Sequence, residues 1–163
     1  MTRLLVAVLA NPPLGPGTIT RQRVATAGRL LGFENTVIDN IFPLASPTTN
    51  EIGPLGANPL PWQMARTSLE ANLSKADGVL LGYGCKRPTG IARHHFDSQI
   101  LWLYKQLAFT RAVSWMVGDR PHHPSRWQRY TARNFPEMGF AEALPLALVP
   151  FDPSDVLNGI RYP

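Results

Sequence analysis

The chain has 163 residues with a net charge of +5, and 44% of its residues are hydrophobic against 17% charged. That length suits one domain with one sizeable core. The charged share, below the roughly 25% of ordinary soluble domains, excludes a charged disordered tail or a long coiled coil. The basic side consists of 13 Arg and only 3 Lys, and the 16 Pro and 13 Gly fall in clusters that read as rigid loops between elements.

In chain order, the first apolar run is Leu4 to Ala10. It reads as a buried strand rather than a secretory signal, because Asn11-Pro12-Pro13 stands where a small-residue cleavage site would be. Ile19 to Leu31 places Val24, Ala27, Leu30 and Leu31 at helical spacing, and Gly32 is positioned to end that helix. Thr36 to Phe42 reads as a second strand, and Trp62 to Leu73 as a helix with Trp62, Ala65, Leu69 and Leu73 on one side. Gly78 to Tyr83 is a third strand. Ile91 to Phe109 is a long helix with Ile100, Leu103, Tyr104 and Leu107 as its stripe, and Ala112 to Gly118 is a fourth strand.

Continuous apolar runs of this length suit strands covered on both faces. The alternation predicts an α/β fold with a four-stranded parallel sheet and helices on both faces, a three-layer α/β/α arrangement. The domain is expected over residues 1–135. Residues 136–163, punctuated by Pro145, Pro150, Pro153 and Pro163, read as a tail packing on the same domain. No apolar stretch reaches the roughly 18 residues of a membrane span. Cys85 is the single cysteine, so no intrachain disulfide or cysteine-built metal cluster is available, and a reducing, cytoplasmic setting is expected.

In an open parallel sheet, ligands bind beyond the carboxyl ends of the strands. The charge pattern singles out the loops there. Residues 11–33 contain no acid but hold Arg21, Arg23 and Arg29. Residues 78–96 again contain no acid but hold Lys86, Arg87, Arg93, His94 and His95. Residues 120–136 hold Arg120, His122, His123, Arg126, Arg129 and Arg133, also without an acid. One basic edge on a modestly charged domain is the footprint of a polyanion; the plainer alternative is a solvated arginine-rich surface.

The last of these loops, Asp119 to Trp127, places Ser125 as the cap of a helix starting at Arg126, an end that attracts phosphate. Arg126, Arg129 and Arg133 then share a face, with Trp127 and Tyr130 interleaved. A histidine before Pro124 is placed either to donate to developing negative charge or merely to satisfy backbone groups. Asn11 and Asn40 each put an amide at a strand end, where it can read the edge of a base, although Asn-Pro also marks ordinary turns. Gly82-Tyr83-Gly84 lacks the rest of a dinucleotide fingerprint. A metal site from His94, His95, His122 and His123 lacks a carboxylate at a recognised spacing, and no base can be assigned to Cys85 as a nucleophile. No metal or other cofactor is expected.

Several of these pieces together resemble a bacterial and phage family known as domain of unknown function 1643. They are Asn11-Pro12, Thr18-Ile19-x-Arg21, Asn40-Ile41-Phe42, Gly53-Pro54 with Asn58, Ala76-Asp77 before Gly82-Tyr83-Gly84, and Gly118 with Pro121-x-His123-Pro124. The same landmarks look like a reduced version of the uracil-DNA glycosylase superfamily, with Asn11, Asn40 and His123-Pro124-Ser125 at its water-positioning, base-reading and last-loop places. Asn-Pro-Pro in the first loop, and the lack of four cluster cysteines, point away from uracil as the base. The family also resembles antiviral glycosylases that remove bulky modified cytosines from phage DNA.

The resemblance implies a monofunctional DNA glycosylase of that fold, monomeric and without membrane attachment, that flips a modified pyrimidine and leaves an abasic site. It implies Asn11 and His123 as catalytic residues. Asn40, Phe42 and Tyr83 would hold the base, and Arg21, Lys86, Arg87, Ser125, Arg126 and Arg129 would hold DNA phosphates. The alternatives are an N-glycosidic hydrolase or transferase for free nucleosides or nucleotides, and a non-catalytic nucleic-acid-binding module.

Overall fold

A computed structural model describes residues 2–46 and 52–159. Its elements, in order, are β1 (Leu4–Leu9), α1 (Thr18–Leu30), β2 (Asn35–Asn40), α2 (Ile52–Leu55), α3 (Pro59–Leu73), β3 (Gly78–Gly82), α4 (Ile91–Phe109), β4 (Val113–Val117), α5 (Pro124–Asn134), α6 (Phe140–Ala147), β5 (Leu148–Phe151) and α7 (Pro153–Leu157). The strands form one sheet in the order β2-β1-β3-β4-β5. The pairings β1–β2, β1–β3 and β3–β4 are parallel. The fold is therefore α/β with a mostly parallel sheet.

The sheet has five strands, not four. The segment expected as a tail supplies β5, which runs antiparallel to β4 with Val117 opposite Leu148 and Ser114 opposite Phe151. Pro150 masks this strand in the sequence. At the sheet edge the missing N–H of a proline costs no ladder bond, so the strand tolerates it. Two helices flank β5, and the Gly118 N–H donates to Ala147 O at 2.8 Å, tying the end of β4 to α6. Pro163 of the expected tail lies outside the described residues.

Helices cover both faces of the sheet. On one face Val24 and Ala27 of α1, Trp127 of α5, and Leu144 and Ala147 of α6 pack on Leu5, Ala7, Leu80 and Val117. On the other, Trp62, Leu69, Leu103 and Tyr104 of α3 and α4 pack on Val6, Val8, Val79 and Leu81. Both cores follow from strand alternation, because successive residues of β1 and β3 point to opposite faces. Among the described residues no helix is long and apolar enough to cross a membrane.

Asn58 caps α3, its side chain accepting from the Leu60 N–H at 2.9 Å, so the helix begins three residues before Trp62. Asp77 holds the amino ends of β1 and β3 together, accepting from the Leu4 N–H at 2.7 Å.

The second face contains a fully buried polar residue, Gln99 on α4. Its Nε2 donates to Ile41 O at 3.0 Å and Trp62 O at 2.9 Å, and its Oε1 accepts from Arg66 Nε at 2.8 Å. Leucine in its place would leave two carbonyls and a guanidinium N–H without that partner. We expect Gln99→Leu to cost at least about 2 kcal/mol, read as a fall of roughly 5 °C or more in Tm by calorimetry.

Candidate functional site

The carboxyl ends of the strands come into register at Leu9, which is paired with Asn40 on one side and Gly82 on the other. Strand order reverses here, since β1 is followed in sequence by β2 on one flank and later by β3 on the other. Loops leaving β1 and β3 diverge at such a point and leave a crevice. The crevice is a cleft of about 940 Å³. Its walls come from the loop after β1 (Asn11, Pro12, Pro13), the start of α1, the loop after β3, and the loop after β4 running into α5.

Of the residues expected to form a site, Asn11, Arg21, Asn40, Tyr83, Lys86, His123, Ser125, Arg126 and Arg129 all line this cleft. Phe42 and Arg87 do not. Phe42 is 0% exposed and packs against Trp62, with ring centroids 4.6 Å apart, so it is a core residue and is corrected as a base-stacking candidate. Arg87 forms an exposed ion pair with Asp97 on α4 and is not among the residues that line the cleft. Tyr83 lines the cleft but is only 4% exposed, and its hydroxyl lies 3.3 Å from that of Tyr104. Burial holds its phenol well above the ordinary pKa, so Tyr83 is a neutral wall.

The cleft lining contains Arg21, Lys86, Arg126, Arg129 and Arg133 and no carboxylate. Among the described residues the side-chain ion pairs are Arg87–Asp97 and the His122–Asp119 contact, so none of these five cations is matched by an acid. Arg126, Arg129 and Arg133 recur at helical spacing on α5. Trp127, interleaved with them in sequence, is buried, and its Nε1 donates to His122 O at 2.7 Å.

α5 starts at Pro124, two residues earlier than the expected Arg126, and its cap is His123 rather than Ser125. The Ser125 N–H donates to His123 Nδ1 at 3.2 Å, and Ser125 Oγ lies 2.9 Å from the same nitrogen. A backbone N–H can only donate, so Nδ1 is the acceptor and the neutral ring carries its proton on Nε2. Burial lowers the pKa of His123, and the Arg126 charge lowers it further. His123 is thus a neutral Nε2–H donor at the amino end of a helix, the form of imidazole suited to stabilising a developing anion.

Asn11 has the complementary character. Its Nδ2 donates to Ser46 Oγ at 2.7 Å and Leu44 O at 3.1 Å, which fixes the amide and leaves Oδ1 to accept from a water or ligand in the cleft. Asn40 is half-buried at the end of β2 and lines the same space.

Tyr130, Arg133, Ser46 and the pair Cys85–His122 also line the cleft. Arg133 is legible as the next turn of the arginine row. The others become visible only once three loops are brought together. Among the described residues no three His, Cys, Asp or Glu side chains converge to hold a metal. No protein family, curated protein or solved structure matches the chain.

Burial lowers the pKa of His122 as well, with Arg120 reinforcing the effect and Asp119 opposing it. Both histidines therefore bind protons less readily folded than unfolded. Between the depressed folded values and about 6.5 the unfolded chain holds more protons, so stability falls as pH drops through that window and is level above it. We expect Tm to decline from pH 7.5 to about 5.5. A His122→Asn/His123→Asn double variant, in which the second amide retains a cap acceptor for α5, should show a shallower decline in the same melts.

Proposed function

We propose that the chain is a DNA N-glycosylase that accepts a flipped pyrimidine carrying a bulky modification and leaves an abasic site. The observation that carries this reading is the carboxylate-free cleft whose cation row continues along α5. From Arg126 to Arg133 the row runs seven residues, about 10 Å of helix, whereas phosphates of one strand recur about every 3.4 Å along a duplex axis. A single mononucleotide does not need a row of that length; a backbone does. The cleft volume also lies near the upper end of the roughly 300–1,000 Å³ typical of ligand pockets, larger than an unmodified base requires.

In this reading the arginine row and Ser125 hold the backbone while the target nucleotide turns out of the stack into the cleft. Asn11 Oδ1 accepts from the attacking water and orients it toward the sugar C1′, which becomes oxocarbenium-like as the bond to the base nitrogen lengthens. The electron pair of that bond leaves with the base while the water oxygen bonds to C1′; the His123 Nε2–H donates a hydrogen bond to the departing anion, which takes up the proton the water loses. Asn40 reads the base edge. No lysine falls within the Asn11-Pro12 or His123-Pro124-Ser125 motifs, which favours hydrolysis over an imine route, with Lys86 of the cleft wall assigned to phosphate. The motif resemblance to glycosylases of modified phage cytosines points to the same substrate class and to a role in antiviral defence.

The test is a panel of oligonucleotides carrying uracil, hydroxymethylcytosine or glucosylated hydroxymethylcytosine, scored for abasic sites and for the released base by mass spectrometry. We expect release from a bulky cytosine, slowed about 100-fold or more by His123→Asn and by Asn11→Ala. Replacing Arg126, Arg129 and Arg133 by Ala should weaken binding and flatten its salt dependence by roughly 0.9 per lost phosphate contact on duplex DNA. Tight binding without base release would favour a binding module. Activity on mononucleosides, indifferent to the arginines, would favour a nucleoside hydrolase.

A further inference from the structure

The glycosylase reading leaves one group of reactive side chains in the cleft unused. Cys85, in the loop after β3, places Sγ 3.2 Å from His122 Nδ1 in the loop after β4. Beyond the ring, His122 Nε2 lies 3.8 Å from Asp119 Oδ1, within reach of an ion pair once the imidazole takes a proton. Nucleophile, base and carboxylate thus follow one another in the order that activates a thiol.

The contact between Cys85 and His122 is built into the backbone. The Gly84 N–H donates to Pro121 O at 2.7 Å, stapling the two loops together beside both side chains. His122 is held by the Trp127 indole on its carbonyl and by the Tyr130 ring, whose centroid is 4.9 Å from its own. Gly118, at φ 78, leaves the space that Tyr130 fills.

We propose that Cys85 and His122 form a nucleophile–base pair that reacts with small anionic disulfides, making Cys85 a site of reversible mixed-disulfide formation in the cleft wall. The thiol proton moves to His122 Nδ1 as the sulfur electron pair attacks one sulfur of RS–SR. The S–S bond breaks, and the leaving RS⁻ takes its electron pair and then the proton from His122. One disulfide is lost and one is formed; the Cys85 sulfur is oxidised and the departing RS is reduced. The preference for an anionic reagent comes from Lys86, next in sequence, from Arg120, whose charge acts on the thiol, and from the absence of carboxylates in the lining. Asp119, exposed and outside the lining, acts on the imidazole and also on the thiol, where it opposes Arg120; the net preference therefore rests on Lys86, Arg120 and the carboxylate-free lining outweighing this one acid.

The charged and titratable groups around the pair are Lys86, Asp119, Arg120, Tyr83 and Tyr130. Burial raises the Cys85 thiol and lowers the His122 imidazole, so the resting pair is uncharged. Its reactive form has the proton transferred from sulfur to Nδ1, and between the two pKa values the population of that form does not depend on pH. A thiol titrating alone behaves differently, because its thiolate fraction rises about tenfold per pH unit below its pKa.

Because the sequence contains one cysteine, every captured thiol reports on Cys85. The experiment follows the reaction of the full chain with dithiobis(nitrobenzoate), which is anionic, and with hydroxyethyl disulfide, which is neutral. We expect the rate with dithiobis(nitrobenzoate) to rise clearly less steeply than about tenfold per pH unit from about pH 7 to pH 8.5. In His122→Asn it should drop about tenfold or more at pH 7 and then climb about tenfold per pH unit. Added salt to about 0.5 M should slow the anionic reagent and spare the neutral one. A wild-type rate that itself climbs tenfold per unit, or equal, salt-insensitive rates for the two reagents, would overturn the proposal. Should His122→Asn fail to fold, the wild-type pH profile and the salt comparison decide. Neither depends on whether the chain cleaves a glycosidic bond.

Discussion

The close approach of α5 to the sheet at Gly82 is the contact on which the site depends. A Cβ at that position would meet Leu9 Cδ2 at 2.9 Å and Pro124 Cδ at 3.3 Å, with His122 O close behind. A side chain there would have to push Leu9 aside and crowd Pro124, so glycine is what lets the first turn of α5 lie this close to the end of β3. That placement brings His123 to the helix cap and His122 to the β3 loop, and it aims the arginines of α5 along the carboxyl edge. The same turn buries Trp127, whose indole fixes the His122 carbonyl. Packing at one strand end therefore sets the chemistry of three loops.

Charge in this protein divides into two populations that composition alone does not separate. Arg3 lies over Phe33, Arg66 over Trp102 and against Gln99, Arg87 on Asp97, and Arg93 on Pro88 O. These arginines join parts of the chain. Arg21, Arg126, Arg129, Arg133 and Lys86 have no acid partner among the described residues and face one space. A solvated arginine-rich surface would scatter such cations. Their convergence on a crevice with low-dielectric walls focuses potential there, which steers anions toward it.

Much of the fold was legible because β1, β3 and β4 are continuous apolar runs and α1, α3 and α4 carry periodic stripes. β5 was not, because four residues containing a proline give no periodicity. α6 likewise carries Pro145 within it. At the site, the strand-end amides and the acid-free stretches could be read from position and composition. Phe42 could not, since an apolar residue at a strand end looks the same whether it packs inward or stacks on a ligand. The role of Arg87 depends on Asp97, ten residues away on another element. His123 displaced Ser125 as cap because its ring reaches back to the Ser125 N–H, a contact that the usual ranking of cap residues does not anticipate. The Cys85–His122 contact joins residues 37 apart and becomes visible only when two loops meet.

Arg23 is a member of the first population, since it too joins parts of the chain. It reaches from α1 to α5, donating to Pro124 O at 2.7 Å and Gln128 Oε1 at 2.8 Å while lying over the Phe140 ring. Its acceptors are neutral, so its charge is not cancelled where it is held. The two helices it joins carry Arg21 on one and the arginine row on the other, walls of like sign that repel across the cleft. The clasp opposes that repulsion and keeps the walls at a fixed separation before any anion arrives. A ligand then meets surfaces that need no further ordering, so more of its contact free energy appears as affinity. By relieving the repulsion it also stabilises the native fold, as any ligand selective for the folded state must. Val24 and Ala27 of α1 share a buried core with Trp127 of α5, so packing and the guanidinium together set that separation.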